Sequence, residues 1–266
     1  MQLNGPIKMM KTSLVNGEAN YSLSIGDETI DMNALVGKKI ALSFKGEIIC
    51  SNCGNKTNKS FSQGYCFPCA RSLARCDMCI MRPETCHYHL GTCREPEWGL
   101  SNCFSSHVVY IANSSGIKVG ITRKTNVPSR WIDQGAISAL PILEASTRLA
   151  SGKIEAALKS FVGDKTNWRK MLKNEVSPAD LLSKKISLLD EIPDLIKELE
   201  VKQLDDEAIN IQYPVLKYPS KIVSLNFDKT PLVSGKLEGI KGQYLLLDSG
   251  VLNLRKFSSY SLDFSS

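Results

Sequence analysis

Nine cysteines lie between Cys50 and Cys103, and the rest of the 266-residue chain has none. The first four form two Cys-x2-Cys pairs, Cys50/Cys53 and Cys66/Cys69, with twelve residues between the pairs. Each pair folds as a tight turn that presents two thiolates to one point. Two such turns close a tetrahedron around a cation with no geometric preference of its own, which is the spacing of a structural zinc site. Cys76 and Cys79 make a third pair, followed by Cys86, Cys93 and Cys103. The preferred ligands of a second zinc are Cys76, Cys79, Cys86 and Cys93. His87, His89 and Cys103 compete with them, because an imidazole nitrogen serves zinc as well as a thiolate does. The segment is poor in large apolar residues, so its fold is expected to depend on metal. A disulfide framework is the alternative, and it belongs to secreted chains. Met1 to Lys11 is polar and carries no secretory signature. No apolar run approaches the ~20 residues that span a bilayer. One to two zinc ions and a cytoplasmic location away from membranes are expected.

The elements around the cysteines are short. Tyr21, Leu23 and Ile25 alternate with polar residues as a half-buried strand does, and Gly26-Asp27 supplies a turn. Lys39 to Phe44 and Glu47 to Ile49 flank Lys45-Gly46, which predicts a hairpin running into the first cysteine pair. Beyond the cysteines, His107 to Ala112 and Ile117 to Ile121 predict two strands joined at Asn113-Ser-Ser-Gly116. Helical starts follow at Pro128 and Arg148, with a strand at Ile137 to Leu143 between them and a short helix over Asn167 to Lys173. The predicted order over 107–174 is β-β-α-β-α-α. Residues 177–205 carry a helical apolar stripe that Pro193 should break. Gln243 to Leu247 and Val251 to Leu254 predict a last hairpin. The fold class is therefore α+β in four segments: a β-rich region over 1–49, a zinc-ribbon-like module over 50–103, a mixed core over 104–174, and a helical then β region over 175–266.

The formal net charge is +6, and residues 104–174 alone hold eleven basic and four acidic groups. A basic excess concentrated next to a metal module points to a polyanion, here DNA or RNA, with Arg123, Lys124 and Arg130 as candidate contacts. The competing reading of such a run is a solvated face. No Walker loop and no dinucleotide fingerprint is present.

Residues 107–174 resemble the GIY-YIG nuclease superfamily. Its two tripeptides correspond to Val108-Val109-Tyr110 and Lys118-Val119-Gly120, its arginine to Arg130, its helical glutamate to Glu155 in Ala150-Ser-Gly-Lys-Ile-Glu155, and its asparagine to Asn167. The whole chain resembles an uncharacterised bacterial family that joins a cysteine-rich module to a divergent core of this type. That likeness rests on Gly91-Thr-Cys-Arg-Glu-Pro-Glu-Trp-Gly99, Lys118-Val-Gly-Ile-Thr-Arg123, Arg130-Trp-Ile-Asp-Gln-Gly-Ala136 and Gly239-Ile-Lys-Gly-Gln-Tyr244.

The resemblance implies a metal-dependent endonuclease. In such enzymes Tyr110 would help activate water, Glu155 would hold magnesium or manganese, and Arg130 would stabilise charge on the scissile phosphate. Lys118 and Asn167 would complete the catalytic set. Hydrolysis needs a nucleophile generator, a Lewis acid and a cation beside the developing oxyanion, and these residue types supply all three. The departures are Val108 and Val109 in the first tripeptide, and Lys118 where the second tyrosine stands. They leave open a core that binds nucleic acid or a ribonucleoprotein without cutting it. Each residue also has a plainer role available: Tyr110 as a strand aromatic, Arg130 on a solvated helix, Glu155 as the i, i+4 partner of Lys159.

Overall fold

The alternation at Tyr21, Leu23 and Ile25 builds a strand with these three side chains buried and their neighbours half-exposed. The computed structural model describes residues 1–163 and 166–266. The first strands are β1 (Gln2–Pro6), β2 (Lys11–Val15), β3 (Glu18–Ile25), β4 (Glu28–Asp31), β5 (Lys39–Ile49) and β6 (Lys56–Thr57). Helices α1 (Phe67–Ser72) and α2 (Pro96–Cys103) bracket a run of 3-10 turns. Then come β7 (His107–Asn113), β8 (Ile117–Arg123), α3 (Ser129–Asp133), β9 (Ser138–Ala145), α4 (Arg148–Leu158) and α5 (Trp168–Leu172), in the order expected from the sequence. The chain closes with α6 (Leu181–Leu189), α7 (Pro193–Glu198), β10 (Lys202–Gln203), β11 (Ile209–Asn210), β12 (Leu232–Lys241), β13 (Tyr244–Leu247), β14 (Gly250–Asn253) and β15 (Tyr260–Ser265). Pro193 opens α7 and separates it from α6, because its ring cannot continue the preceding helix.

The architecture is mixed α+β, with three sheets among the described residues. The largest has the order β1-β15-β5-β12-β13-β14, with β6 on β5. Residues from the two ends of the sequence therefore hydrogen-bond in one sheet. The central sheet has the order β10-β9-β7-β8, with β11 also on β9, and β2-β3-β4 form the third.

Lys45-Gly46 does not turn the chain. Strand β5 runs unbroken to Ile49. Gly46 adopts φ +79°, and the register against β15 shifts beside it: Phe44 faces Leu262, but Ile48 faces Tyr260. The glycine serves a β-bulge, where extra residues on one strand bend it and increase its twist. The bend carries β5 into the first cysteine pair.

Every residue of β7 is buried. A strand covered on both faces loses the polar alternation of a half-exposed one, which is why His107 to Ala112 reads as a continuous apolar run. One face, with Val108, Tyr110 and Ala112, packs with Trp131 and Ile132 against the apolar interior of the largest sheet, including Leu42, Leu237 and Phe257. The other face, with Val109, Ile111, Val119 and Ile121, is covered by Ile154 and Leu158 of α4 and by Leu181 and Leu188 of α6. The first core runs through the terminal β regions and one face of the central sheet, so these elements support each other's packing. Among the described residues no helix is long and apolar enough to cross a membrane.

A metal centre and an arginine cleft as the candidate site

Bent by its bulge, β5 delivers Cys50, and Gly54 at φ +73° closes the turn with its N–H on the Cys50 carbonyl at 3.0 Å. The second turn leads into α1, with Pro68 in its first turn. The two turns are tied by the Ser51 N–H on the Gly64 carbonyl at 2.7 Å. The Sγ atoms of Cys50, Cys53, Cys66 and Cys69 all lie within 4.8 Å of one another. Four sulfurs about 2.3 Å from a zinc ion sit on a tetrahedron with edges of about 3.8 Å, and Cys53 Sγ is 3.8 Å from Cys66 Sγ. Burial raises the Cys50 thiol, but the N–H groups of Cys53, Cys66 and Asn52 outweigh it and hold it at about 6. Cys69 accepts from Asn52, yet its three sulfur neighbours push it up to about 12. Four thiols this close cannot all ionise without a cation among them. The four-cysteine cluster predicted from spacing is thus assembled, and its geometry is compatible with zinc.

The remaining cysteines divide differently from the sequence expectation. Cys79, Cys86, Cys93 and Cys103 line one small cavity with Asp77, His87, Tyr88, Trp98 and Gly99, the ligand atoms of Asp77, Cys79 and His87 lie within 4.8 Å of one another, and Cys76 does not line the cavity. His89 is also outside this lining, and it is exposed. All nine cysteines are unbridged.

The module docks on the core through α4. A Cβ on Gly152 would lie 2.6 Å from Pro83 Cβ and 2.7 Å from the Glu84 backbone nitrogen, so only glycine admits the approach. Arg148, at the start of α4, donates from Nη2 to the Ile80 carbonyl at 2.7 Å. Glu84 lies within electrostatic reach of Glu155, which is one helical turn along from Gly152, and among the described residues Glu84 Oε2 is buried without a hydrogen-bond partner.

Tyr110 sits opposite Gly120 across the β7–β8 pair. Its hydroxyl donates to Gln134 Oε1 at 3.0 Å and also meets the Arg130 guanidinium. The residue is 0% exposed. Burial raises its pKa, against the pull of Arg130, and this rise and the lack of solvent access both oppose the water-activating role the resemblance implies. Geometrically, Tyr110 positions Arg130. Gly120 makes room for the phenol: a Cβ there would lie 2.7 Å from Tyr110 Oη. Gly120→Ala is expected to displace the ring from Gln134 and Arg130 and to destabilise the protein by about 1–3 kcal/mol, as overpacked cores do. A denaturant midpoint equal to wild type would refute that.

Arg130 opens onto a cleft of about 280 Å3 whose lining includes five arginines: Arg75, Arg123, Arg130, Arg148 and Arg255. They come from the cysteine module, β8, α3, α4 and the turn after β14. Met81, Trp98 and Ile121 supply apolar wall, and among the described residues no carboxylate lines the cleft. Among the described residues none of the five arginines makes an ion pair within 4 Å; the salt-bridged arginine is Arg94, on Asp77. Arg123 donates instead to Asn102 Oδ1 and Arg255 to Gln63 Oε1, each at 2.5 Å. Burial lowers the pKa of Arg148 and of Arg255. Lys124, the third predicted contact, is not among the residues that line the cleft and is held by both oxygens of Glu144 at 2.9 and 3.0 Å.

The other predicted catalytic residues fall in two places. Glu155 is largely buried on α4, with Lys159 Nζ 3.6 Å from its Oε2. Burial raises its pKa, and Lys159 and Arg148 oppose the rise. Lys118 is buried and donates to Thr166 Oγ1 at 2.7 Å. Asn167 caps α5, its Oδ1 accepting from the Lys170 N–H at 3.2 Å, and its own N–H donates to Ser115 Oγ. Lys118 and Asn167 are thus gathered at Thr166, while Tyr110 and Arg130 meet under the cleft. Sequence reasoning missed Arg75, Arg148, Arg255, Trp98 and Glu84. Arg148, seven residues before Glu155 on the same helix, was open to inference; Arg75 and Arg255 reach the cleft only by tertiary packing.

A cysteine-rich module docked on an α+β core, with a basic cleft where they meet, is the class that fold and site define. The chain belongs to a family described as a protein of unknown function, DUF2797, whose profile matches residues 37–262. No curated protein and no solved structure matches it.

Proposed function

We propose that this protein binds nucleic acid in the cytoplasm, taking the sugar-phosphate backbone in the arginine cleft. The observation that carries the reading is the set of five guanidiniums on one cleft with, among the described residues, no carboxylate in its lining. Such a cluster is self-repelling until an anion enters, and guanidinium forks match phosphate oxygens. Trp98 and Met81 on the same wall offer an apolar surface on which a base can lie, the pairing of cation and aromatic that single strands use. Anisotropy of labelled single-stranded and duplex DNA and RNA over a salt series tests it. Affinity should fall linearly in log–log form as counterions are released. Absence of binding to every probe at low salt would overturn the reading.

A second reading is hydrolysis, with residues 107–174 as a divergent GIY-YIG core. Its specific support is the Glu84–Glu155 pair, in which one carboxylate oxygen is buried without a partner. A hard cation takes oxygen ligands, and magnesium is commonly held by one or two carboxylates with water completing the shell. Glu155 and Glu84 would hold magnesium or manganese there, and the ion would offset charge developing on a phosphate. Arg130, fixed by Tyr110, would hold the phosphate. Glu155→Ala is expected to abolish cleavage in a screen over structured DNA and RNA with either metal. It should leave binding equal or tighter, since a negative charge near the phosphate has gone. A wild type that cuts nothing leaves the binding reading alone; cleavage undiminished in Glu155→Ala removes Glu155 from the site.

A further inference from the structure

The run from Leu73 to Cys103 has few means of holding its shape. It contains 3-10 turns and one short helix, and its buried residues are Leu73, Ala74, Pro83, Gly99 and Cys103. Met78, Met81, Leu90 and Leu100 are exposed, so they supply no core. No disulfide closes it. Chains this short with so little apolar interior are held by cross-links or metals.

Cys79 comes from the turn Met78–Ile80, Cys86 follows the turn Pro83–Thr85, Cys93 precedes α2 and Cys103 ends it. These four otherwise unconnected points converge on one cavity of about 20 Å3. A space of roughly 10–15 Å3 holds one water-sized particle. The wall is tight as well: a Cβ on Gly99 would lie 3.3 Å from Cys93 Sγ and 3.1 Å from the Tyr88 ring.

Two other donors in the lining of the cavity are already engaged. Asp77 takes Arg94 Nε at 2.6 Å and the Cys79 N–H at 3.3 Å. His87 has Nε2 3.6 Å from Asp77 Oδ1 and Nδ1 2.7 Å from Thr92 Oγ1. Both residues nevertheless line the cavity beside Cys79 and Cys86, and the ligand atoms of Asp77, Cys79 and His87 lie within 4.8 Å of one another. The Cys76 side chain is turned towards Ser62.

We propose that Cys79, Cys86, Cys93 and Cys103 hold a second, structural zinc ion, and that this centre forms a wall of the arginine cleft. Binding converts four thiols to thiolates and releases their protons to solvent, leaving a centre of net charge about −2. Cys103 and Trp98 line both the cysteine cavity and the cleft. Arg148 and Arg123 lie within electrostatic reach of Cys103 and offset that charge. The centre therefore fixes the cysteine module against α4 and holds Trp98 and Arg148 in place. The inference stands whether or not the cleft takes nucleic acid.

Elemental analysis of the purified full chain tests it. Wild type should hold about two zinc ions per chain, as two four-cysteine sites would. Cys86→Ser should hold about one, and Cys76→Ser should keep both. Because a ligand variant that misfolds could lose both ions, native-state alkylation of the wild-type holoprotein supplies an independent reading. Cys76 should be modified first while Cys79, Cys86 and Cys93 are protected, and chelation should expose those three. A wild type with a single zinc overturns the proposal. So does loss of an ion from Cys76→Ser, or protection of Cys76 with rapid labelling of Cys86 or Cys93.

Discussion

Cys53→Ser should abolish zinc binding at the first four-cysteine centre and unfold residues 50–72. Cys53 is exposed, and serine keeps its shape, so the substitution removes almost no packing. Whatever is lost is therefore ligation. Structural zinc in small modules contributes an apparent ~10–16 kcal/mol at neutral pH, as large as the ~5–15 kcal/mol net stability of a typical whole domain. Nothing else in the segment is of that size: residues 51–72 bury only Gly64 and Cys66. The damage should also travel. Ser51 Oγ lies 2.7 Å from Ser259 Oγ, and Ser259 Oγ donates to the Gly64 carbonyl at 2.8 Å, so the two turns are anchored on the start of β15. Zinc content by elemental analysis and amide exchange of residues 50–72 check the expectation. Retention of zinc and of amide protection in Cys53→Ser would show that other groups hold this segment.

Local chemistry was what the sequence made legible. The first cysteine quartet was readable because zinc imposes a spacing on two short turns, independent of the rest of the fold. The β7–β8 hairpin and the order of elements after it were readable because two β-rich runs flank the turn residues Asn113 to Gly116 and because the helix period survives in Ile154 and Leu158. Gly46 was misread because a glycine at positive φ serves a bulge as well as a turn, and only the partner strand decides which. The grouping of the later cysteines was not legible either: Cys76-x2-Cys79 has the spacing of a metal pair, but the two residues lie in successive 3-10 turns and only Cys79 lines the small cavity. Gly239 to Tyr244 carried no readable chemistry. Its residues join the sheets: Gln243 bonds to both backbone groups of Met10 and to Asp133 Oδ1, and a Cβ on Gly239 would lie 2.6 Å from the Val215 Cα. The cleft itself was illegible, since Arg75 and Arg255 are separated by most of the chain and only the packing of the module on α4 and of the largest sheet brings them to Arg130.

That separation makes the cleft testable against net charge alone. Arg75→Ala/Arg130→Ala should lower affinity for single-stranded nucleic acid by roughly ten- to a hundredfold for each arginine, the equivalent of losing one charge-assisted hydrogen bond of about 1.5–3 kcal/mol. The slope of log K against log salt should flatten by roughly 0.7–0.9 for each phosphate contact removed. Lys124→Ala removes the same charge as either single arginine variant, and its ammonium is already held by Glu144. It should change affinity by less than about twofold, as an exposed, salt-bridged group does. Arg75 is exposed and Arg130 rests on Tyr110, so Arg75→Ala should leave the unfolding midpoint unchanged while Arg130→Ala lowers it modestly. Were Lys124→Ala as damaging as Arg75→Ala, the protein would be responding to its overall positive field and the cleft would have no special place in binding. Loss confined to the arginine variants, with the salt slope falling in step, would locate the backbone contact where the cysteine module meets the core.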